Sequence, residues 1–446
     1  MSVARPVAGP PRPYRFPDFV RHELANGLRV WLVPLGGREL VSVQLLTDAG
    51  AAAEEEAQGG IAALTAQALV TGTQRLDAAA FAETTEALGI EVHSESSWDS
   101  ARAGFQALGE HFDAGLALLA EMVRTPRLDE GEFDRLRAER LNDILQGRAD
   151  PVRLADERFL RELYADDVPY GRLSAGRPET VEPLSVDDGR AYHARRYAPN
   201  VADLVIAGAI DPDAALAAVE RAFGDWSGQG PGHRTFEPAQ RGRRRIVIVD
   251  RPGSVQSELR VGHVGIDRHH PRYFPAIVMA ALLGGVFGSR LNLRLREELG
   301  YTYGARCHFD PRRAAGPFTA SAAVQTEVTA EAARELVAQL DRIRQEPPGD
   351  DELREVRDFL IGIFPLRFET TAGVAAAIEP MAVYDLPNEW WHAYRSRLEA
   401  VGPGDVLEAA RELIRPEEAV ILVTGDAARI RDALAAADLG PLEEPT

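Results

Sequence analysis

The sequence predicts an α+β protein built from two homologous domains, and three observations predict it. First, segments recur at a near-constant distance. RRIVIV at Arg244 repeats LRVWLV at Leu28, 216 positions on. ELRVGHVG at Glu258 repeats VSVQLLTD at Val41, and Pro416 before AVILVTGD repeats Pro199 before ADLVIAGA, each 217 positions on. So long a period marks a duplicated domain, not a solenoid. Second, strands and helices come in mixed runs, which favours α+β layers over a doubly wound sheet. Third, Trp226–Arg245 has the Gly, Pro and charge content of a linker. A chain of 446 residues is also too long for one ordinary core. The expected boundaries are a flexible arm at 1–17, a first domain at 18–225, a linker at 226–243 and a second domain at 244–446.

Each element has a local reason. LRVWLV (28–33) and VSVQLLT (41–47) read as strands separated by turn-prone residues. QGGIAALTAQALVTGT (58–73) reads as a helix opened by a glycine pair, with Ile61, Leu64, Ala68 and Leu69 near the spacing of one face. A second helix over 76–88 stops at Gly89, where a left-handed residue is expected. Residues 90–97 and 100–107 alternate like paired strands. Helices follow at about 111–123, 129–145 and 151–164, then a strand at 202–207. Asp211 is placed to cap a helix with Pro212 in its first turn, where a missing N–H costs nothing. Beyond the linker, 289–299 reads as a helix stopped by Gly300. Residues 301–309 alternate like a strand, with Tyr301, Tyr303, Ala305, Cys307 and Phe309 on one face. A helix end folding back into a strand is expected to bring Arg296 and Tyr303 together.

Composition narrows the function. Hydrophobic content of 45% and charged content of 27% are those of a soluble globular protein. The net charge of −19, with every one of the 50 basic residues an arginine, argues against nucleic acid as a partner, because phosphate binding needs a basic face. The basic run Arg241–Arg245 reads as solvated linker. The single cysteine, Cys307, excludes an intrachain disulfide and a Cys-rich zinc site and reads as a buried inert thiol. No apolar run reaches the roughly 20 residues of a membrane span. The proline-rich N-terminus lacks a signal-peptide core of about 7–15 apolar residues, so the expected compartment is the cytoplasm, or the periplasm behind a missing leader. GGVFGSR (284–290) is not followed by G-K-[ST], so it is no phosphate loop. His269 and His270 lie in a polar turn and read as exposed. Neither H-E-x-x-H nor G-x-S-x-G occurs.

The frame of residues 60–73 resembles the zinc helix of the pitrilysin/insulinase metallopeptidases, which include mitochondrial processing peptidase. There the helix carries H-x-x-E-H, two His ligands and a Glu that activates water. The matching positions here are Ala63, Ala66 and Gln67, and the register of the family's third ligand falls on Asp143. Alanine offers no lone pair, an amide oxygen is a poor zinc ligand, and one carboxylate cannot hold the ion. In the second half, GSRLNLRLREELGYTY (288–303) resembles the family motif G-S-R-L-x-x-x-x-R-E-x-x-G-x-x-Y, whose Arg and Tyr match Arg296 and Tyr303.

The resemblance implies two homologous α/β roll domains, the clam-like half of a peptidase chamber. It implies a metal-free subunit of a heterodimeric zinc peptidase acting on peptides. Zinc sits in a partner bearing H-x-x-E-H, while Arg296 and Tyr303 act on that partner's site. A phenol O–H suits a developing oxyanion, and a guanidinium pairs with substrate carbonyls as lysine cannot. Two other readings stand beside it. One is a structural or peptide-binding pseudopeptidase like the core subunits of respiratory complexes; the other is a self-sufficient hydrolase using Asp143 with further ligands.

Overall fold

A computed structural model of the protein describes Gly9 and residues 12–445. Strands Val20–Glu23 (β1), Arg29–Pro34 (β2), Leu40–Thr47 (β3), Glu91–Ser96 (β4), Ala101–Leu108 (β5) and Ala202–Gly208 (β6) form one sheet in the order β1-β2-β6-β3-β5-β4. Arg245–Asp250 (β7), Gln256–Val264 (β8), Ala305–Phe309 (β9), Pro317–Gln325 (β10), Val420–Gly425 (β11) and Leu442–Glu443 (β12) form a second, in the order β12-β7-β11-β8-β10-β9. In both sheets the innermost parallel pair joins the early strand to the late one, β2 to β6 and β7 to β11. The sequence repeat is thus a repeat of topology, as expected of an α+β duplication. Only the outer edge differs: β1 comes from the start of the chain and β12 from its end.

The first half adds helices Ile61–Ala68 (α1), Ala78–Ala87 (α2), Phe112–Arg124 (α3), Glu130–Ala149 (α4), Pro151–Leu163 (α5), Pro178–Val181 (α6), Val186–Arg196 (α7) and Pro212–Phe223 (α8). Their starts follow the capping signals. The carboxylates of Asp77, Asp129 and Asp211 accept from the N–H groups of Ala80, Gly131 and Ala214, satisfying donors the helix leaves unpaired. The second half adds Tyr273–Ala280 (α9), Thr329–Ile343 (α10), Asp350–Ile363 (α11), Thr371–Val383 (α12), Trp390–Glu399 (α13), Pro403–Leu413 (α14) and Ala427–Ala435 (α15). No single helix among the described residues is long and apolar enough to cross a membrane.

The halves exchange helices. α5 of the first half lies on β8 and β11 of the second sheet, where Phe159 and Leu163 bury against Val264, Val420 and Leu422. α12 of the second half lies on β3 and β6, burying Ile378 in a core shared with Trp31, Leu46 and Val205. Each such side chain is worth about 1.5–3 kcal/mol when taken fully out of water, so the linker separates two sheets but not two independent cores. Polar contacts cross the same junction. Asp99 accepts from the phenols of Tyr170 (2.6 Å) and Tyr384 (3.2 Å) and from the Arg313 N–H (3.0 Å). Arg313 pairs with Asp48 at 2.8 Å, and Arg29 with Asp385 at 2.7 Å.

Two expectations change here. Residues 1–8, 10 and 11 of the expected arm lie outside the described residues, but its end is docked through Tyr14 and Phe16. Phe16 is buried against Phe368 and Trp391, and Tyr14 packs on Phe364. Within Arg241–Arg245, Arg245 is buried and not solvated. It meets Glu162 of α5 at 3.3 Å, because the linker runs back along that helix before β7 begins.

Candidate functional site

The helix that the sequence singles out, α1, begins at Gly60, whose φ of 98° is open to glycine at little cost. Its free N–H groups are not capped by a neighbouring side chain. Instead the carboxyl of Glu54, 2% exposed, accepts from the N–H groups of Gly60 (3.1 Å) and Ala62 (2.8 Å). Burial pushes the Glu54 pKa up to about 8, opposed by those two amide donors and by the nearby charge of Arg172. The folded state therefore favours the neutral carboxyl. Its contribution to stability is full below about pH 4.5 and is lost as pH rises through about 8. The urea midpoint falls across that window, and Glu54→Gln flattens the slope; a slope unchanged in the variant would rule Glu54 out as its source.

Along α1, Ala63 is 7% exposed, Ala66 is fully buried and Gln67 is half-buried. α4 packs against this helix and carries Asp143. That carboxylate already has partners: Arg153 lies at 3.2 Å and Arg140 at 3.7 Å. Zinc does not fit this set. Two methyl groups replace imidazole and carboxylate, and the one acid in register sits between two fixed positive charges. Among the described residues no group of three or more His, Cys, Asp or Glu is arranged to hold a metal. Arg140 and Arg153 were not singled out by sequence; the i, i+3 spacing of Arg140 and Asp143 on α4 is the signal that was passed over, and Arg153, on the next helix, had none.

The segment around Arg296 departs from the expected regular helix. Asn292–Glu298 is a widened π-type helix, in which the Leu299 N–H reaches the Arg294 carbonyl five residues back. Such widened turns are frequent at functional sites. The segment is fastened by two bidentate pairs, Arg290 with Glu352 (2.7 and 2.9 Å) and Arg294 with Glu335 (2.9 and 3.0 Å). These arginines are clamps, which leaves Arg296 as the motif's remaining guanidinium. Its carbon lies 4.4 Å above the Phe287 ring, itself 72% exposed, and its Nε is 3.4 Å from Glu297.

Tyr303 is not on the strand face. β9 starts only at Ala305, and the expected alternation survives just for Ala305, Cys307 and Phe309, which are buried. Cys307 is an inert buried thiol, its pKa raised by burial. Tyr303 occupies a turn closed by Thr302, whose hydroxyl donates to the Gly304 carbonyl (2.9 Å) and accepts from the Gly304 N–H (3.1 Å). Asn292 sets where the strand begins: its side-chain oxygen accepts from the Ala305 N–H (2.9 Å) while its amide donates to the Val286 carbonyl (3.2 Å). Tyr303 is consequently 92% exposed, and no hydrogen bond, ion pair or ring contact joins it to Arg296 among the described residues. Neither residue lines the cavity of about 550 Å³ between the halves, whose walls include Arg29, Asp48, His233 and Arg313. His269 and His270 stand at a turn, His270 3.9 Å from Glu412.

Comparison with known proteins follows the same lines. Residues 35–168 match the family described as Insulinase (Peptidase family M16), and residues 183–360 match the Peptidase M16 inactive domain. The chain is similar to the non-peptidase homolog YmxG of Helicobacter pylori, 25% identical over 350 residues that cover 76% of this chain and 77% of the relative. It is also similar to an uncharacterized zinc protease, YmxG, of Bacillus subtilis, 23% identical over 354 residues covering 79% and 85%. In fold it resembles a peptidase M16 inactive domain from Pseudomonas fluorescens, with a TM-score of 0.85 at 24% identity over 92% of this chain and 98% of that one. A chain of Complex III2 from Candida albicans has the same fold, with a TM-score of 0.81 at 15% identity over 95% and 99%.

Proposed function

The chain belongs to the insulinase family of peptidases, family M16, and from that membership we propose that it is the non-zinc subunit of a two-chain zinc peptidase. Its partner is a homologous subunit with an intact H-x-x-E-H helix, which alone holds zinc. Its substrates are peptides, and neither nucleic acid nor a membrane takes part. The compartment is the cytoplasm, or the periplasm if a leader precedes the sequence.

One observation carries this reading. The phenol of Tyr303 stands 92% exposed, with no hydrogen bond, ion pair or ring contact among the described residues, although a tyrosine loses apolar burial by standing free. A donor so placed serves something outside the chain. A peptide carbonyl under attack gains negative charge on oxygen, and a phenol O–H aimed at it stabilises that charge. Arg296, ordered by stacking on Phe287, supplies a planar fork of N–H donors for substrate carbonyls.

A second reading draws on the relative named a non-peptidase homolog. That name supports an M16-like chain inactive by itself and, in this version, inactive in any company, a structural or peptide-binding pseudopeptidase. Mixing the purified chain with an H-x-x-E-H homologue encoded beside it and assaying peptide cleavage separates the two. Cleavage absent from either chain alone but present in the mixture supports the heterodimer. A stable complex with no cleavage replaces it with the pseudopeptidase.

A further inference from the structure

The junction of α4, α5 and α6 gathers arginines whose side chains make no ion pair among the described residues. Arg148 ends α4, Arg161 lies on α5, and Arg172 and Arg177 stand in the segment leading into α6. Arg148, Arg161 and Arg177 wall a cavity of about 360 Å³, and Arg161, Arg172 and Arg177 wall a smaller one of about 70 Å³ beside it. Glu157 lines both, so the two are one continuous depression. Its rim reaches the start of α1, since Gly176 packs against the carbonyl of Gly59.

Elsewhere on α4 and α5 arginines are paired: Arg135 with Glu132 and Glu139, Arg137 with Asp134, and Arg153 with Asp143. In contrast, the guanidinium groups of Arg148, Arg161, Arg172 and Arg177 make no ion pair or hydrogen bond among the described residues. Glu56, Glu157 and Glu179 line the same space but make no ion pair with these four among the described residues, and Asp166 is taken by Arg241. With Arg158 and Arg241, six arginines line the depression against four carboxylates, Glu56, Glu157, Asp166 and Glu179, a local excess of positive charge within a chain of net charge −19. Arg148 is exposed and Arg161, Arg172 and Arg177 are half-buried, so their N–H donors are open to an anion, which they can bind in pairs. The Arg172 pKa is lowered chiefly by burial despite the charge of Glu54.

We propose that this cavity binds a multiply charged phosphate compound, held through paired N–H donors of Arg148, Arg161, Arg172 and Arg177. Guanidinium groups match the oxygens of phosphate two at a time, and several converging on one space favour a ligand of more than one charge. The volume suits a short phosphate chain, free or as the tail of a nucleotide. The site is independent of the peptidase reading and survives if that reading fails.

Isothermal titration of the full chain with sodium tripolyphosphate tests it, with ATP and citrate as comparisons. Tripolyphosphate is expected to bind the wild type at least about tenfold more tightly than it binds an Arg161→Gln, Arg177→Gln double variant, with affinity falling as salt rises. Glu157→Gln, which removes a like charge from the wall, is expected to bind severalfold more tightly and does not depend on the arginine variants folding. ATP binding as tripolyphosphate does assigns recognition to the phosphate chain; tighter ATP binding adds the nucleoside. No binding to the wild type, equal binding to the double variant, no gain in Glu157→Gln, or citrate binding as tightly as tripolyphosphate would each overturn the proposal.

Discussion

On the proposal that this chain is the non-zinc subunit of a two-chain peptidase, replacing Tyr303 with Phe lowers kcat of the mixture by about 10²–10³-fold, a loss of roughly 3–4 kcal/mol of transition-state stabilisation, as for removal of a single oxyanion donor. The reasoning starts from exposure. Tyr303 is 92% exposed in a turn whose hydrogen bonds are made by Thr302 and Gly304. Removing its hydroxyl therefore takes nothing from the fold, and surface changes of this kind stay within about 0.5 kcal/mol of stability. A fall in kcat with an unchanged urea midpoint isolates the hydroxyl's role. Arg296→Ala acts differently and raises KM, because a guanidinium that holds substrate carbonyls contributes to binding before the barrier as well as at it. Arg296→Lys does not restore it, since an ammonium cannot reproduce two parallel N–H donors. Steady-state kinetics on the mixture check both variants. An Arg296→Ala, Tyr303→Phe chain that supports wild-type turnover removes these residues from the reaction.

Much of this was legible in the sequence, and where it was not, distance along the chain explains why. The 216- and 217-residue offsets announce the duplication because equivalent strands keep their order, β2-β6-β3 against β7-β11-β8. The cap at Asp211 is local, so it reads directly, and the same local signal at Asp77 and Asp129 went unread. The exchange of α5 and α12 between sheets is invisible to periodicity: an amphipathic helix states that it will be covered, not by which sheet. The Asp99 cluster joins residues 71, 214 and 285 positions apart, and no local pattern encodes such a meeting. Tyr303 was expected on a strand because Tyr301 to Phe309 alternates perfectly. The alternation is real only from Ala305, where Asn292 starts the ladder, and that contact crosses thirteen residues. Phe287 lies exposed beneath Arg296, and nothing in the glycine-rich run around it marks that contact.

Putting the zinc residues back does not restore the metal. In a chain carrying Ala63→His, Ala66→Glu and Gln67→His, zinc remains substoichiometric after dialysis and stability falls by about 3–5 kcal/mol, the usual cost of a buried charge without a partner. Ala66 has no exposure, so a carboxylate there enters a space already filled, and overpacking adds to its desolvation. Ala63 is nearly as enclosed and leaves little room for an imidazole. Even with both histidines in place, the remaining ligand would be Asp143, held by Arg153 and Arg140. Arg140 is largely buried and its charge is fixed beside the position a divalent cation would take, so the ion meets repulsion there. The loss is therefore one of a whole environment: alanines packed over, the acid neutralised, and the N-terminus of α1 closed by Glu54. Metal analysis together with urea denaturation of the triple variant decides the matter. One zinc per chain at undiminished stability would mean that the site was merely vacant and that the surrounding arginines had not replaced the ion.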